Sequence, residues 1–203
     1  MGTDCPVVTD GGTSPTNDGR CDLSHEEFDQ VRENLVRYAG GGGEQARVDQ
    51  FLADYNRIKS IPGSARVLKQ MEATVDQVDG ELQVARIAAS TDRDIKELEK
   101  ELGPKGANGE IDIEYADGTL GESKAVDASD FRPENDRNVF EIANQIAKWE
   151  TQGGIDLEGR TVVIYVKTKP NQEAGVVESI EDYIEENTDS DVSIDFKEVP
   201  PTE

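Results

Sequence analysis

The sequence predicts an α/β protein, with a central mixed sheet flanked by helices and a helical segment ahead of it. Three observations predict this class. Residues 109–126 alternate with a period of two around a turn, helix-type and strand-type patterns alternate after them, and three amphipathic stretches come before. At 203 residues the chain is long enough for one α/β domain with a real core and a smaller appendage.

Residues 1–22 are turn-formers with little apolar content and are expected to be a flexible leader. Both cysteines, Cys5 and Cys21, lie there. Their spacing permits a disulfide closing a polar loop, or two free thiols, and no further Cys or His nearby suggests a zinc site. His25, the single histidine, follows Ser24 at a helix start and reads as a surface residue.

Ser24-His-Glu-Glu27 is a capping box, in which hydroxyl and carboxylate each satisfy a free backbone N–H. Phe28, Val31, Leu35 and Tyr38 follow at helical spacing until the glycines at 40–43 end the helix. A second helix carries Val48, Phe51, Leu52, Tyr55 and Ile58, and Pro62-Gly63 breaks it. Ser64 caps a third, with Val67, Leu68, Met71, Val75 and Val78 inward. Residues 23–79 are therefore a helical segment, expected either to form a small bundle serving as an adaptor or delivery domain or to cover the sheet of the α/β domain at 80–203.

Gly80–Ala89 carries Leu82, Ala85 and Ala89 as an inner stripe, with Glu81 at its start. Thr91-Asp-Arg-Asp94 is expected to open another helix with Ile95, Leu98 and Leu102, closed by Gly103-Pro104. Gly106-Ala-Asn-Gly109 is a loop leading into the hairpin.

In the hairpin, Ile111, Ile113 and Tyr115 alternate with Glu110, Asp112 and Glu114. Ala116-Asp-Gly118 is the turn, since Asp-Gly tolerates positive φ. The second strand puts Leu120, Glu122, Lys124 and Val126 on one face, so Glu122 and Lys124 converge with Asp112. Two carboxylates and an amine inside a sheet are costly to bury unless they bind something, and a divalent cation with a scissile phosphate fits.

A helix at 136–150 follows, with Phe140, Ile142, Ala143, Ile146, Ala147 and Trp149 on a broad apolar face and Gln145 and Lys148 along it. Thr161–Val166 is the most apolar run and is expected to be a strand buried on both faces. Lys167 and Lys169 at its end are the nearest thing to a phosphate-contacting pair. Val176, Ile180, Tyr183 and Ile184 mark the last helix, and Val192, Ile194 and Phe196 the last strand.

Asp112, Glu122-Ser-Lys124 and Glu81, in this order of elements, resemble the PD-(D/E)XK nuclease superfamily, which includes restriction enzymes, archaeal junction resolvases and nuclease toxins. The resemblance covers roughly residues 80–199 and departs at Ile111, where the name-giving proline would stand. Two other acid-x-Lys triplets, Asp94-Ile-Lys96 and Asp195-Phe-Lys197, lack the hairpin and helix context. The resemblance implies a restriction-endonuclease-like fold and hydrolysis of DNA or RNA phosphodiesters. It implies Mg²⁺ or Mn²⁺ held by Asp112, Glu122 and the Ser123 carbonyl, with Glu81 completing the shell. Lys124 would be the catalytic amine, and Gln145, Lys148 and Lys167 candidate substrate contacts. A leader and a helical segment ahead of the catalytic module favour a toxin-type effector, countered by an immunity protein, over a housekeeping resolvase.

Forty-four acidic residues against 21 basic ones give a net charge of −23. Dense carboxylates suit molar salt, where screening shortens to about 3 Å, so a halophilic archaeal source is expected. The charge equally suits a non-enzymatic acidic binder, an immunity protein or nucleic-acid mimic, that occupies a basic cleft. It removes the support that a basic patch gives to nucleic-acid binding. A third reading is a degenerate nuclease fold serving as a structural component. No apolar run long enough for a membrane span and no signal peptide is visible, so the protein is expected to be cytoplasmic, or secreted by a route the sequence does not reveal.

Overall fold

A computed structural model describes residues 4–9, 12–20, 25–39, 44–73, 77–134 and 136–201. The chain divides into two compact units, Met1–Ser90 with Thr202–Glu203, and Thr91–Pro201.

The first unit holds β1 (Asp4–Thr9), β2 (Gly12–Arg20), α1 (His25–Ala39), α2 (Glu44–Ile58), α3 (Ser64–Ala73) and α4 (Val78–Ser90). In the leader, β1 pairs antiparallel with β2. Cys21 and Ser24 lie outside the described residues, and with them the disulfide and the capping box. Val31, Leu35, Val48, Phe51, Tyr55, Ile58, Val67, Leu68 and Met71 are buried, as their spacing predicts. The third helix stops at Ala73, short of the predicted Val78, which instead begins α4.

Helix α4, expected to open the α/β domain, packs with α1, α2 and α3. Its buried face is Val78, Val84, Ala85, Ile87 and Ala88, joined by the polar Glu81, Gln83 and Arg86, while Leu82 and Ala89 are half-buried. A buried ion pair explains the burial of Arg86: Nη1 meets Asp54 Oδ1 at 3.0 Å, tying α4 to α2. An apolar-stripe reading is blind to such a pair.

The second unit is a mixed five-stranded sheet in the order β3-β4-β5-β6-β7, with α5 and α6. Its elements are β3 (Ile95–Glu101), β4 (Glu110–Tyr115), β5 (Leu120–Ser123), α5 (Arg137–Thr151), β6 (Arg160–Val166), α6 (Glu173–Thr188) and β7 (Val192–Glu198). β4 runs antiparallel to both of its neighbours, β3 and β5; β5, β6 and β7 are parallel. The two parallel steps are made through α5 and α6, as crossover connections require.

The segment at 95–102 is a strand, not the predicted helix. Ile95, Leu98 and Leu102 are spaced like a helical stripe, but the segment pairs along β4 as an edge strand. Glu99 has φ +48°, which breaks the alternation, so that Leu98 and Glu99 are both buried in succession.

One core joins sheet and helices: Leu120, Val162, Ile164, Val166 and Phe196 against Ile142, Ile146, Trp149, Val176, Ile180 and Ile184. β6 is buried from Val162 to Val166, as expected of a strand covered on both faces. One residue of the predicted apolar face is out: Phe140 is 54% exposed, its ring meeting Tyr183 edge-on, and the predicted second strand stops short of Lys124 and Val126, since β5 ends at Ser123.

Candidate active site

Gly118 takes φ +89°, and the strands close through Tyr115 N–H to the Thr119 carbonyl. Arg93 secures this end, pairing with Asp117 at 2.6 Å and lying 4.1 Å over the Tyr115 ring, and it lowers the Asp117 carboxyl to about 2. Ile113 pairs with Gly121 and Glu114 with Leu120, so the next pair along sets Asp112 opposite Glu122.

Gly121 is where β5 must be bare. A Cβ there would lie 3.1 Å from Ile113 Cβ and 3.4 and 3.5 Å from the Tyr165 and Tyr115 rings. Past it, the Tyr115 and Tyr165 hydroxyls meet at 2.6 Å and bridge β4 to β6. Burial raises both phenols above their usual pKa.

The chemistry centres on Glu122, which is 2% exposed. Its Oε1 accepts from Lys124 Nζ at 2.6 Å and from Gln145 Nε2 at 2.7 Å, while Gln145 Oε1 accepts from Lys124 at 2.6 Å. Carboxylate, amine and amide thus close a three-membered ring between β5 and α5. The other oxygen, Oε2, is buried and has no hydrogen-bond partner among the described residues. Burial raises the Glu122 carboxyl, against the pull of Lys124 and Gln145. For Lys124, burial favours the neutral amine, but Glu122, then Asp112 and Glu141, outweigh it and hold the ammonium above its ordinary range.

Asp112 is half-buried. Its Oδ2 accepts the Ser123 backbone N–H at 2.6 Å. Burial, then the charges of Glu122 and Glu99, push it well above the usual carboxylate range, more than Ser123 and Lys124 pull it down.

Glu99 is the site residue the sequence reading missed. It falls opposite Asp112, between the Leu98–Ile113 and Lys100–Ile111 pairs, and is 1% exposed. Glu99, Asp112 and Glu122 therefore form a row across three adjacent strands. The visible signal was an acid at 99 in a stretch of alternating charges, usable only once 95–101 is known to be a strand.

Ser123 is half-buried and contributes its backbone N–H to Asp112. Lys148 is exposed one turn beyond Gln145 on α5. Lys167 is exposed just past β6, its backbone N–H donating to the Val126 carbonyl. Lys169 is taken up by Glu173, at 2.9 Å. Glu81 is buried on α4, in the N-terminal unit.

Among the described residues no three His, Cys, Asp or Glu side chains are gathered into a ready-made metal cage. Mg²⁺ does not need one, since it is bound through one or two carboxylates with waters and substrate oxygens. Asp112 and Glu122 fit that demand: two hard oxygen donors, both destabilised as anions, one with an unused buried oxygen. No family model, no curated protein and no solved structure matches this chain. Among the described residues no helix is long and apolar enough to cross a membrane.

Proposed function

We propose that residues 91–201 form a divalent-metal-dependent nuclease with a restriction-endonuclease-like arrangement. The carrying observation is the ring of Glu122, Lys124 and Gln145 beside Asp112, with Glu122 Oε2 buried and unused. Supporting the fold reading is an antiparallel three-strand meander continued by two parallel strands through crossover helices. An acidic binder, the rival raised by the charge, gives that ring no task.

Asp112 and Glu122 would hold the ion, and no part of the reading rests on Glu81. The bound ion would supply Lewis acidity toward a phosphate oxygen and a more acidic water. Lys124 has a different task. Held protonated by Glu122, it acts as a fixed positive charge toward the phosphate oxygen where negative charge develops, and its proton stays on Nζ. Gln145 orients both partners of the Lys124–Glu122 pair and spares the site a second cation. Ser123 N–H fixes the Asp112 carboxylate.

The test is cleavage of single- and double-stranded DNA and RNA with Mg²⁺ or Mn²⁺ at low and molar KCl. Lys124→Ala should lower kcat by about 10²-fold or more, in the range of a lost transition-state charge contact, with the circular-dichroism spectrum unchanged. A folded wild type inert on every substrate overturns the reading. Within it we favour a toxin-type effector: expression in a sensitive cell should arrest growth, and Lys124→Ala should relieve the arrest.

A further inference from the structure

Beside the catalytic ring lies a cleft of about 380 Å³ between the Ala107–Gly109 loop and α5, lined by Asn108, Asn144, Gln145, Lys148, Trp149 and Gln152 among others. Its size suits a ligand of nucleotide dimensions. Its lining is unusual for so acidic a chain, with four carboxamides and one lysine facing a single carboxylate, Glu141. The cleft is continuous with the site through Gln145, which holds Glu122 and Lys124, and through Glu141, whose charge acts on Lys124.

The amides are arranged rather than scattered. Asn108 Nδ2 donates to the Gln152 backbone carbonyl at 2.7 Å, which holds the loop against the end of α5 and leaves Asn108 Oδ1 as an acceptor. Asn144 takes only a long contact, 3.4 Å, from the Tyr183 hydroxyl, so its amide group keeps donors to offer. Among the described residues the Gln152 side chain makes no hydrogen bond and Lys148 makes no ion pair. A phosphate-only site would want several cations. Carboxamides instead match the paired donor and acceptor of a base edge, adenine best of all. A cleft that takes the base edge-on requires a base out of its duplex.

We propose that this cleft is a nucleobase subsite, in which Asn108, Asn144 and Gln152 read one unpaired base beside the scissile phosphate. The proposal rests on the nuclease reading for its place in the reaction. Recognition through neutral amides also suits high salt, where the ionic part of nucleic-acid binding is weak.

Trp149 is the only tryptophan in the chain and lies under the cleft, so intrinsic fluorescence reports occupancy directly. The experiment titrates metal-free Lys124→Ala protein with AMP, CMP, inorganic phosphate and a short adenine-rich single strand. AMP and the strand should change Trp149 emission saturably, AMP more tightly than CMP, and phosphate should not. The double variant Asn144→Ala, Gln152→Ala should weaken the strand about tenfold with its urea midpoint unchanged. In the otherwise wild-type chain the same pair should raise KM more than it lowers kcat and flatten the cleavage pattern. A flat titration with every nucleotide overturns the subsite, and if the wild type still cleaves, the nuclease reading stands without it. A saturable, amide-dependent titration in a protein that cleaves nothing supports the subsite while the nuclease reading falls. Equal response to phosphate and to AMP also overturns it.

Discussion

Ser123 donates its backbone N–H to Asp112 across the β4–β5 hairpin at 2.6 Å, so the first acid is anchored by the strand that carries the second. No cation is needed to position Asp112, and a metal can arrive at ligands already aligned. The arrangement disfavours the anion without it: burial, then the charges of Glu122 and Glu99, hold the Asp112 carboxyl well above the usual carboxylate range.

Divalent ions should therefore stabilise the folded chain. At a concentration 100 times Kd, one site on the native state adds about 2.7 kcal/mol. The shift in melting temperature should vanish in the double substitution Asp112→Asn, Glu122→Gln. A shift that survives would place the ion elsewhere on the acidic surface.

Without metal, the acids set a pH dependence of known sign. A carboxyl whose folded pKa is raised favours folding while it is protonated, at pH below its ordinary value. That contribution is lost as pH climbs from the ordinary value through the raised one. Asp112→Asn should then make the metal-free protein more stable at pH 7 by about 1 kcal/mol or more, with the gain shrinking toward pH 4. Glu99→Gln, which removes one of the charges acting on Asp112, should move the same way. Urea melts across the pH range check both, and a gain that grows toward acid contradicts the assignment.

Gly121→Ala tests how closely β5 is fitted. The added methyl faces Ile113 Cβ at 3.1 Å, with two tyrosine rings behind it. Overpacking of this kind costs about 1–3 kcal/mol. Because Glu122 is the next residue, cleavage should fall by more than the loss of stability explains, as measured by kcat at a temperature where the variant is fully folded.

Salt separates the halophilic reading from the acidic binder. With 44 acids and 21 bases, self-repulsion should loosen the fold in dilute buffer, and molar KCl should raise its melting temperature, with any cleavage rising in parallel. Full stability in dilute buffer with no gain at high salt favours the binder.

The hairpin and the charged residues it gathers were legible because both are local. Asp112, Glu122 and Lys124 lie within thirteen residues of one another on two strands joined by an Asp-Gly turn, and alternation alone puts them on one face. The flanking elements α5, β6, α6 and β7 were legible from periodicity and length. β3 was not, because Ile95, Leu98 and Leu102 fit a helical stripe, and the left-handed turn at Glu99 removes the alternation that would have betrayed a strand. With β3 lost, so was Glu99, whose place beside Asp112 depends on strand pairing rather than sequence spacing. Gln145 was expected only to approach substrate; its grip on both Glu122 and Lys124 is a tertiary fact. Helix α4 reads as the start of the 80–203 segment, but it packs with α1, α2 and α3 through a buried apolar face, and the Asp54–Arg86 pair, which spacing does not reveal, adds a polar tie to α2.

The meeting of the Tyr115 and Tyr165 hydroxyls has a dynamic consequence. It joins the two neighbours of β5 to each other, so the shortest strand of the sheet, four residues long, is clamped along both edges. Such a strand has no cheap way to fray by itself. Amide protons at Gly121 and Glu122 should exchange with solvent only through opening of the whole sheet, at the rate of the slowest amides in β6. The reacting groups would then lose their geometry all at once or not at all.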